Sequence, residues 1–125
     1  MLLGNLYHIL SSRHENEAIY ARIELNPEHT IFKGHFPGIP ILPGVCQLQI
    51  MEEVLSSILG REMNVKHASQ IKFLSFVNPL VHKQLDINLK IEKKQSRILL
   101  VQGDYIFGET VFLKFKGEFD EFRIT

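Results

Sequence analysis

The residues best suited to chemistry lie in a segment rich in proline and glycine in the first half of the chain. His35 lies within the run Gly34–Gly38, and the apolar residues Phe36 and Pro37 follow it directly. The flanking glycines allow the backbone to turn sharply and to approach a ligand closely. The apolar neighbours would desolvate the imidazole and hold it rigidly. A neutral imidazole in such a place can act as a general base, although a single loop histidine, taken alone, is more often structural.

The second chemical group is a backbone amide, that of Gly44. Pro43 is typical of the first turn of a helix, where its missing N–H costs nothing. The N–H of Gly44 would then lie in a turn whose amides lack helical acceptors. Such donors can polarise a carbonyl or hold an oxyanion. A base combined with an amide donor suits the removal of a proton from a carbon next to a carbonyl.

The apolar periodicity predicts the elements that must position these groups. The segment 26–42 contains three prolines and predicts a long loop without a regular element. Period-2 alternation and apolar runs predict strands over residues 6–10, 18–25, 65–77, 85–92, 97–107 and 110–119. A helix is predicted from Pro43 to about Leu59, ending at Gly60. One-sided strands with short turns indicate an antiparallel sheet whose apolar face is covered by that helix, hence an α+β domain.

The predicted helix has a broad apolar arc and a narrower polar one. Gln47 falls inside the apolar arc, whereas Val45, Gln49, Glu52 and Glu53 fall on the opposite arc. The two glutamates are interpreted as solvent-facing charges. In the last predicted strand, alternate residues face the core; they are Val111, Leu113 and Phe115.

Composition limits the classes of function. The 125 residues are expected to form one domain, and 14 basic residues balance 14 acidic ones, so a nucleic-acid or membrane-surface binder is not indicated. Eight basic but only three acidic residues fall within 61–101. This stretch is interpreted either as solvated strand faces or as a basic rim for an acidic partner.

No feature of the sequence indicates a metal, a nucleotide or a membrane. The histidines lack metal-ligand spacing, no glycine-rich nucleotide loop is present, and Cys46 is the one cysteine. Cys46 is expected to pack as a small apolar residue. The first ten residues contain no basic region and no long apolar run, so a cytoplasmic protein is expected.

The run from Gly34 to Val45, Gly-His-Phe-Pro-Gly-Ile-Pro-Ile-Leu-Pro-Gly-Val, resembles the signature loop of the β-hydroxyacyl-acyl carrier protein dehydratases of fatty acid synthesis. The similarity extends to residues 70–73 and to the turn at Pro79, and the order of predicted elements matches over the whole chain. The resemblance implies a hotdog fold, a curled antiparallel sheet wrapped around one long helix. It also implies acyl carrier protein as a partner, no cofactor, and a homodimer or a heterodimer with a related hotdog subunit.

The resemblance further implies roles for individual residues. His35 would act on the substrate α-carbon, and the amide of Gly44 would bind the thioester carbonyl. The backbone carbonyl of Ile41 would hold the histidine ring. Phe36, Val45 and the apolar side of the helix would contact the acyl group.

One position departs from the family pattern. An acidic residue five positions after the helix-start glycine works with the hydroxyl leaving group in such enzymes, and here that position is Gln49. An amide can form hydrogen bonds but cannot deliver a proton as an acid. General acid–base help is worth roughly 10²–10⁴ in rate, or about 3–5 kcal/mol of barrier.

Three interpretations of Gln49 remain open. The protein is a dehydratase in which His35 performs both proton transfers or Glu52 or Glu53 helps, with Gln49 orienting the substrate. Alternatively, a related subunit supplies the acid at a shared interface. Thirdly, the chain binds or processes acyl thioesters without dehydration, as a non-catalytic subunit or a thioesterase. The first is favoured: water is eliminated to give a trans-2-enoyl thioester in fatty acid or polyketide-type synthesis, and the stretch after Arg61 docks the acidic carrier.

Overall fold

The structure is a computed structural model of the chain, and it describes residues 1–34 and 38–121. In these residues the chain forms six strands and two helices. They are β1 (Tyr7–Glu15), β2 (Ala18–Leu25), α1 (Ile31–Gly34), α2 (Gly44–Leu59), β3 (Met63–Phe73), β4 (Gln84–Gln95), β5 (Ile98–Phe107) and β6 (Thr110–Glu121).

All six strands belong to one sheet in the order β1-β2-β4-β5-β6-β3, and every neighbouring pair is antiparallel. The predicted antiparallel sheet with one long helix is therefore confirmed. α2 and β3 come between β2 and β4 in the chain. In the sheet, however, β3 is the edge strand farthest from β2. The end of β3 and the start of α2 lie in the same part of the molecule.

Local sequence explains where α2 begins and ends. Pro43 is the N-cap in extended conformation, so the helix begins one residue later than predicted. Gly60 ends it in the left-handed conformation, with φ of 71°, and its N–H donates to the carbonyl of Ser56. Glycine adopts this conformation without steric cost, which is why the predicted helix end is confirmed.

The core lies between α2 and the sheet. Ile50, Met51, Val54 and Leu55 are fully buried on α2, at the positions that the helical periodicity assigned to the apolar arc. The sheet contributes alternate residues from each strand. In β2 the predicted inward face is confirmed, and its members are Ile19, Ala21, Ile23 and Leu25.

Four local predictions differ from the structure. The predicted loop contains one helical turn, α1, and β3 ends at Phe73 rather than at residue 77. β1 runs to Glu15 because β2 pairs with it along its whole length, although its own alternation is weak. Phe112 is fully buried, although strict alternation with Val111 and Leu113 predicted that it faces away from the core. A shift of register between Tyr105 and Ile106 inserts an extra residue there and breaks strict alternation.

No helix in the described ranges is long and apolar enough to cross a membrane.

Candidate functional site

The amide of Gly44 is the first N–H of α2. The N–H groups of Cys46 and Gln47 both donate to the carbonyl of Pro43, at 3.0 and 3.1 Å, and so close the first turn. No described residue accepts a hydrogen bond from the N–H of Gly44. At the first helical position the helix itself offers no acceptor. This donor is available to a ligand.

The ring of Phe73, at the end of β3, packs directly on Gly44. A Cβ atom built on Gly44 would lie 2.6 Å from Cζ and 2.9 Å from Cε1 of that ring. Any residue other than glycine would force the ring to move, because such distances are far inside van der Waals contact. Glycine at position 44 thus permits an aromatic ring to lie against the start of the helix.

Large apolar side chains at and next to Gly44 and Phe73 in the chain are exposed. Val45 is 76% exposed, Phe73 and Leu74 are each 53% exposed, and Phe76 is 71% exposed. We call these four residues the apolar edge: Val45 follows Gly44 on α2, Phe73 is the last residue of the outer strand β3, and Leu74 and Phe76 follow it in the chain. An exposed apolar strand edge is suited to pairing with another chain.

The sequence-derived site residues are only partly described. His35 and Phe36 lie outside the described residues, so their predicted roles stay predictions. Ile41 is buried just before α2, and Val45 is exposed beside Gly44. The structure places Gln49 on an exposed face of the same helix, more than one turn after Gly44.

Glu53 is the polar centre of this face of the helix, and its predicted solvent exposure is wrong: the residue is only 9% exposed. The N-terminal segment folds across it. Its carboxylate accepts hydrogen bonds from four groups, the N–H of Leu2 (2.9 and 3.1 Å to the two oxygens), the N–H of Leu3 (2.8 Å), the hydroxyl of Tyr7 (3.0 Å) and Nε2 of Gln49 (2.9 Å).

These contacts decide the charge of Glu53. Burial alone would raise the pKa of its carboxyl group, but the hydrogen bonds from Leu2, Gln49, Leu3 and Tyr7 outweigh burial and lower it. Burial, together with the negative charge of Glu53 and the hydrogen bond to it, raises the pKa of Tyr7, which stays a protonated donor. Glu53 is therefore an ionised acceptor at neutral pH.

Neither glutamate is a suitable replacement for the missing acid. Glu53 carries no proton to deliver at neutral pH, and all the groups around its oxygens are donors. Glu52 accepts a hydrogen bond from the N–H of Val65 at 2.8 Å, which ties it to the start of β3. The expectation that one of them helps proton transfer is not supported by their surroundings.

A second buried contact fixes the beginning of α2. Gln47, the polar exception in the apolar arc, is buried, and its Nε2 donates to the carbonyl of Leu42 at 3.3 Å. The hydroxyl of Tyr105 on β5 donates to the backbone carbonyl of Gln47. Burial, and after it the negative charge of Glu53, raises the pKa of Tyr105. No sequence pattern singled out Tyr105.

The one cysteine and the metal-ligating residue types offer no second site in the described part of the chain. Cys46 is buried, and burial raises the pKa of its thiol, as expected for a packed side chain. Among the residues that the structure describes, no cluster of histidine, cysteine or acidic side chains is placed to hold a metal ion.

Comparison with solved structures shows the fold. The fold matches the ApeI:P dehydratase heterocomplex of Xenorhabdus doucetiae with a TM-score of 0.70 at 19% identity, over 90% of this chain and 96% of that one. It matches a hypothetical thioesterase of Streptococcus pneumoniae with a TM-score of 0.64 at 11% identity, over 93% and 85% of the two chains. The expected hotdog fold is confirmed.

Sequence similarity defines the family. Residues 11–105 match the family model of the ApeI-like proteins, described as ApeI dehydratase, and the chain belongs to this family. The 3-hydroxyacyl-acyl-carrier-protein dehydratase FabZ of Novosphingobium aromaticivorans is 28% identical over 105 residues, covering 77% of this chain and 65% of that protein. FabZ of Latilactobacillus sakei is 33% identical over 89 residues, covering 66% and 62%.

The predicted resemblance to the β-hydroxyacyl-acyl carrier protein dehydratases is thereby confirmed. This chain spans between about half and two thirds of the length of the curated relatives that it matches.

The Glu53 network generates a prediction about acid stability. Because the pKa of Glu53 is lower in the folded chain than in the unfolded chain, its contribution is fully present above the ordinary pKa of 4.5 and is lost as pH falls through the lowered folded value. We expect Glu53→Gln to cost about 2–3 kcal/mol at neutral pH, because the new amide group would face donors. The variant should lose less stability than the native chain on acidification, as measured by urea unfolding.

Glu52→Gln is the matched control, because it is the neighbouring carboxylate and accepts a single backbone hydrogen bond. It should cost about 1 kcal/mol. Equal stability and equal pH slopes for the native chain and Glu53→Gln would contradict the proposed charge state.

The contact between Gly44 and Phe73 generates a second prediction. Gly44→Ala should change the free energy of unfolding by less than about 1 kcal/mol, because the half-exposed ring can turn away and alanine is a good helix former. Binding of an acyl thioester analogue should fall by at least about tenfold, since the methyl group and the displaced ring crowd the amide. Calorimetric titration measures the loss, and Ser12→Ala, at an exposed position of β1, is the control. Unchanged binding would exclude the amide of Gly44 from the site.

Proposed function

We propose that this protein acts on β-hydroxyacyl thioesters carried on acyl carrier protein and takes part in eliminating water to give trans-2-enoyl thioesters. The observation that carries the proposal is the free amide of Gly44 at the start of α2, in a chain that belongs to a dehydratase family. The proposed setting is one hotdog domain over residues 1–125, in the cytoplasm, in fatty acid or polyketide-type synthesis.

In the proposed reaction, the N–H of Gly44 donates to the thioester carbonyl oxygen. Negative charge develops on that oxygen when His35 removes the α-proton, and a fixed donor stabilises it more than water can. The electron pair of the broken C–H bond forms the new double bond, and the β-carbon–oxygen bond breaks. The departing hydroxide needs a proton to leave as water, and His35 or a second acid must return it.

Two features support a partner as the source of that acid. Gln49 has no proton to give, and the nearby Glu53 and Glu52 are already occupied as acceptors. The four residues of the apolar edge are exposed, and one of them, Phe73, contacts Gly44 at the end of the outer strand β3. We propose that the apolar edge pairs with a related hotdog subunit, and the proposal is supported by the ApeI:P dehydratase, which has a similar fold and is a heterocomplex. A second copy of this chain would supply another glutamine rather than an acid.

The basic residues within 61–101 only partly support the proposal that an acidic carrier docks there. Lys94 and Arg61 form ion pairs with Glu118 (2.6 Å) and Glu121 (3.8 Å), so these charges are used within the chain. Lys72 lies directly opposite Lys114 on the neighbouring strand, and both are exposed. Like charges in this arrangement repel each other. A phosphate-bearing, acidic carrier would relieve the repulsion next to Phe73.

The reaction is tested by exchanging the amide and the acid on α2. In Gln49→Glu, a second carboxylate would replace the amide whose Nε2 now lies 2.9 Å from Glu53. The two negative charges would repel each other, so this variant should be less stable at neutral pH. The double variant Gln49→Glu/Glu53→Gln keeps one amide and one carboxylate in contact. We expect it to hydrate a trans-2-enoyl thioester about 10²–10⁴ times faster than the native chain, measured by loss of enoyl absorbance.

His35→Ala, added to the double variant, should abolish the gain. A folded double variant that binds the thioester but is no faster than the native chain would contradict the placement of the acid at position 49. Full activity after His35→Ala would contradict the assignment of the base.

In the alternative, this chain is a subunit that has no activity alone. Mixing it with a related hotdog subunit distinguishes this alternative from an enzyme that is active alone. We expect the native chain to gain at least about 10² in rate when it is combined with a related hotdog subunit that carries glutamate at the position of Gln49. Phe76→Asp should prevent both the gain and the co-elution of the two chains, because it charges the apolar edge. A chain that is fully active alone and unchanged by the partner would contradict the composite site.

A further inference from the structure

The direction of the Gly44 N–H depends on the peptide group to which it belongs. That group joins Pro43 to Gly44 and contains the carbonyl of Pro43. The group is planar and trans, so the N–H of Gly44 points opposite to this carbonyl. Two backbone N–H groups, those of Cys46 and Gln47, donate to the carbonyl of Pro43 at 3.0 and 3.1 Å. Whatever fixes this carbonyl therefore also orients the N–H of Gly44.

Gln47 holds both of the peptide groups that lead into Gly44. Its backbone N–H donates to the carbonyl of Pro43, and its side-chain Nε2 donates to the carbonyl of Leu42 at 3.3 Å. The N–H of Leu42 donates to the carbonyl of Val77 at 2.9 Å, which ties the same stretch to the segment after β3. The residues before α2 are thus bound to the helix through Gln47.

Tyr105 in turn holds Gln47 in place relative to the sheet. Its side chain is fully buried on β5, and its hydroxyl donates to the backbone carbonyl of Gln47. β5 is paired with β4 on one side and with β6 on the other, so this hydroxyl is carried by an inner strand. A chain of hydrogen bonds therefore leads from the middle of the sheet, through Gln47, to the peptide group that carries the N–H of Gly44.

The side chain of Gln47 is poorly suited to a packing role alone. It is 3% exposed, and its Oε1 has no hydrogen-bond partner among the residues that the structure describes. A buried acceptor without a partner lowers stability, and an apolar side chain of the same length would avoid this loss. An unsatisfied buried group of this kind needs an explanation. The bond from Nε2 to the carbonyl of Leu42, two residues before Gly44, supplies one.

We propose that Gln47 and Tyr105 are positioning residues that orient the N–H of Gly44 toward the carbonyl oxygen of a bound thioester. The inference rests on the proposed function, in which this N–H binds that oxygen, and goes beyond it by naming the residues that set the direction of the N–H. A hydrogen bond weakens steeply as its angle departs from linearity. The two residues thus determine how strongly the chain distinguishes a ligand with a carbonyl oxygen from one without it.

The test compares two ligands by calorimetric titration of the full chain. One is the saturated thioester S-octanoyl-pantetheine, and the other is the thioether S-octyl-pantetheine, in which a methylene group replaces the carbonyl. Neither has a β-hydroxyl group, so no water can be eliminated during the titration. The measured quantity is the ratio of the two dissociation constants. The native chain should prefer the thioester about three- to tenfold, the size expected of one neutral hydrogen bond.

Gln47→Met separates orientation from packing. It keeps the length of the side chain but removes both the donor to Leu42 and the unpartnered oxygen. We expect the preference for the thioester to fall at least about threefold, while the affinity for the thioether stays within about twofold of the native value. The midpoint of urea unfolding should not fall. A lower midpoint with an unchanged preference would show that Gln47 only packs, and it would overturn the proposal.

Tyr105→Phe tests the same chain of hydrogen bonds from the side of the sheet. The hydroxyl is lost while the ring stays, so the preference for the thioester should fall as it does in Gln47→Met. Val101→Ala is the matched control, because Val101 is buried on the same strand and its side chain forms no hydrogen bond. It should lower stability and leave the preference unchanged. An equal loss of preference in Val101→Ala would show a general loosening of the core and would overturn the positioning role.

The NMR signal of the Gly44 amide distinguishes a failure of this inference from a failure of the proposed function. In the native chain the amide proton should shift more with the thioester than with the thioether, and Gln47→Met should reduce this difference. If the native chain shows the shift and the preference, but Gln47→Met and Tyr105→Phe keep both in full, the inference is overturned and the proposed function stands. If the native chain binds neither ligand, or binds both equally, the proposed function fails and the inference fails with it.

Discussion

The interaction on which much of this structure depends is the acceptance of four hydrogen bonds by one buried carboxylate, that of Glu53. A carboxylate taken out of water without partners is very costly. Here donors from the N-terminal segment, from β1 and from α2 replace the lost water, and hydrogen bonds to a charged group are each worth about 1.5–3 kcal/mol. Glu53 thus joins the N-terminal segment, β1 and α2 through one charged group.

The same constraint organises the candidate site. α2 carries both Gly44, which offers a free amide, and Gln49, whose amide is turned by Glu53. Tyr105 binds the helix at Gln47, between these two positions, and links it to the middle of the sheet. A donor and an acceptor are therefore held on one rigid element. Such fixed groups need little reorganisation when a ligand binds.

Local sequence patterns predicted the regular part of the fold and the position of Gly44 at the start of the long helix. The alternation of β2 and the apolar arc of α2 are local properties, and the end of α2 depends on one residue, Gly60. Gly44 was found because the first turn of any helix leaves amides free. The hotdog fold was predicted from the family resemblance. That resemblance could be recognised because its loop residues are contiguous in the chain.

The environment of Glu53 could not be predicted, because it depends on residues about fifty positions away in the sequence. Helical periodicity placed Glu53 on the polar arc and could not show that the N-terminal segment covers that arc. Leu2, Leu3 and Tyr7 also lie outside the matched residues 11–105, so family similarity does not report on them. The burial of Phe112 was missed for a comparable reason, because the register shift in its hairpin arises from pairing rather than from composition.

The ionisation of Glu53 is the central claim, because the orientation of Gln49 and the absence of an acid on this face of α2 both follow from it. The most direct measurement is an NMR titration of the side-chain carboxyl carbon of Glu53 in the folded chain. We expect a pKa of Glu53 below the ordinary glutamate value of 4.5. A pKa near or above neutrality would contradict it, since Glu53 would then carry a proton, could donate to Gln49, and would itself be available as the acid.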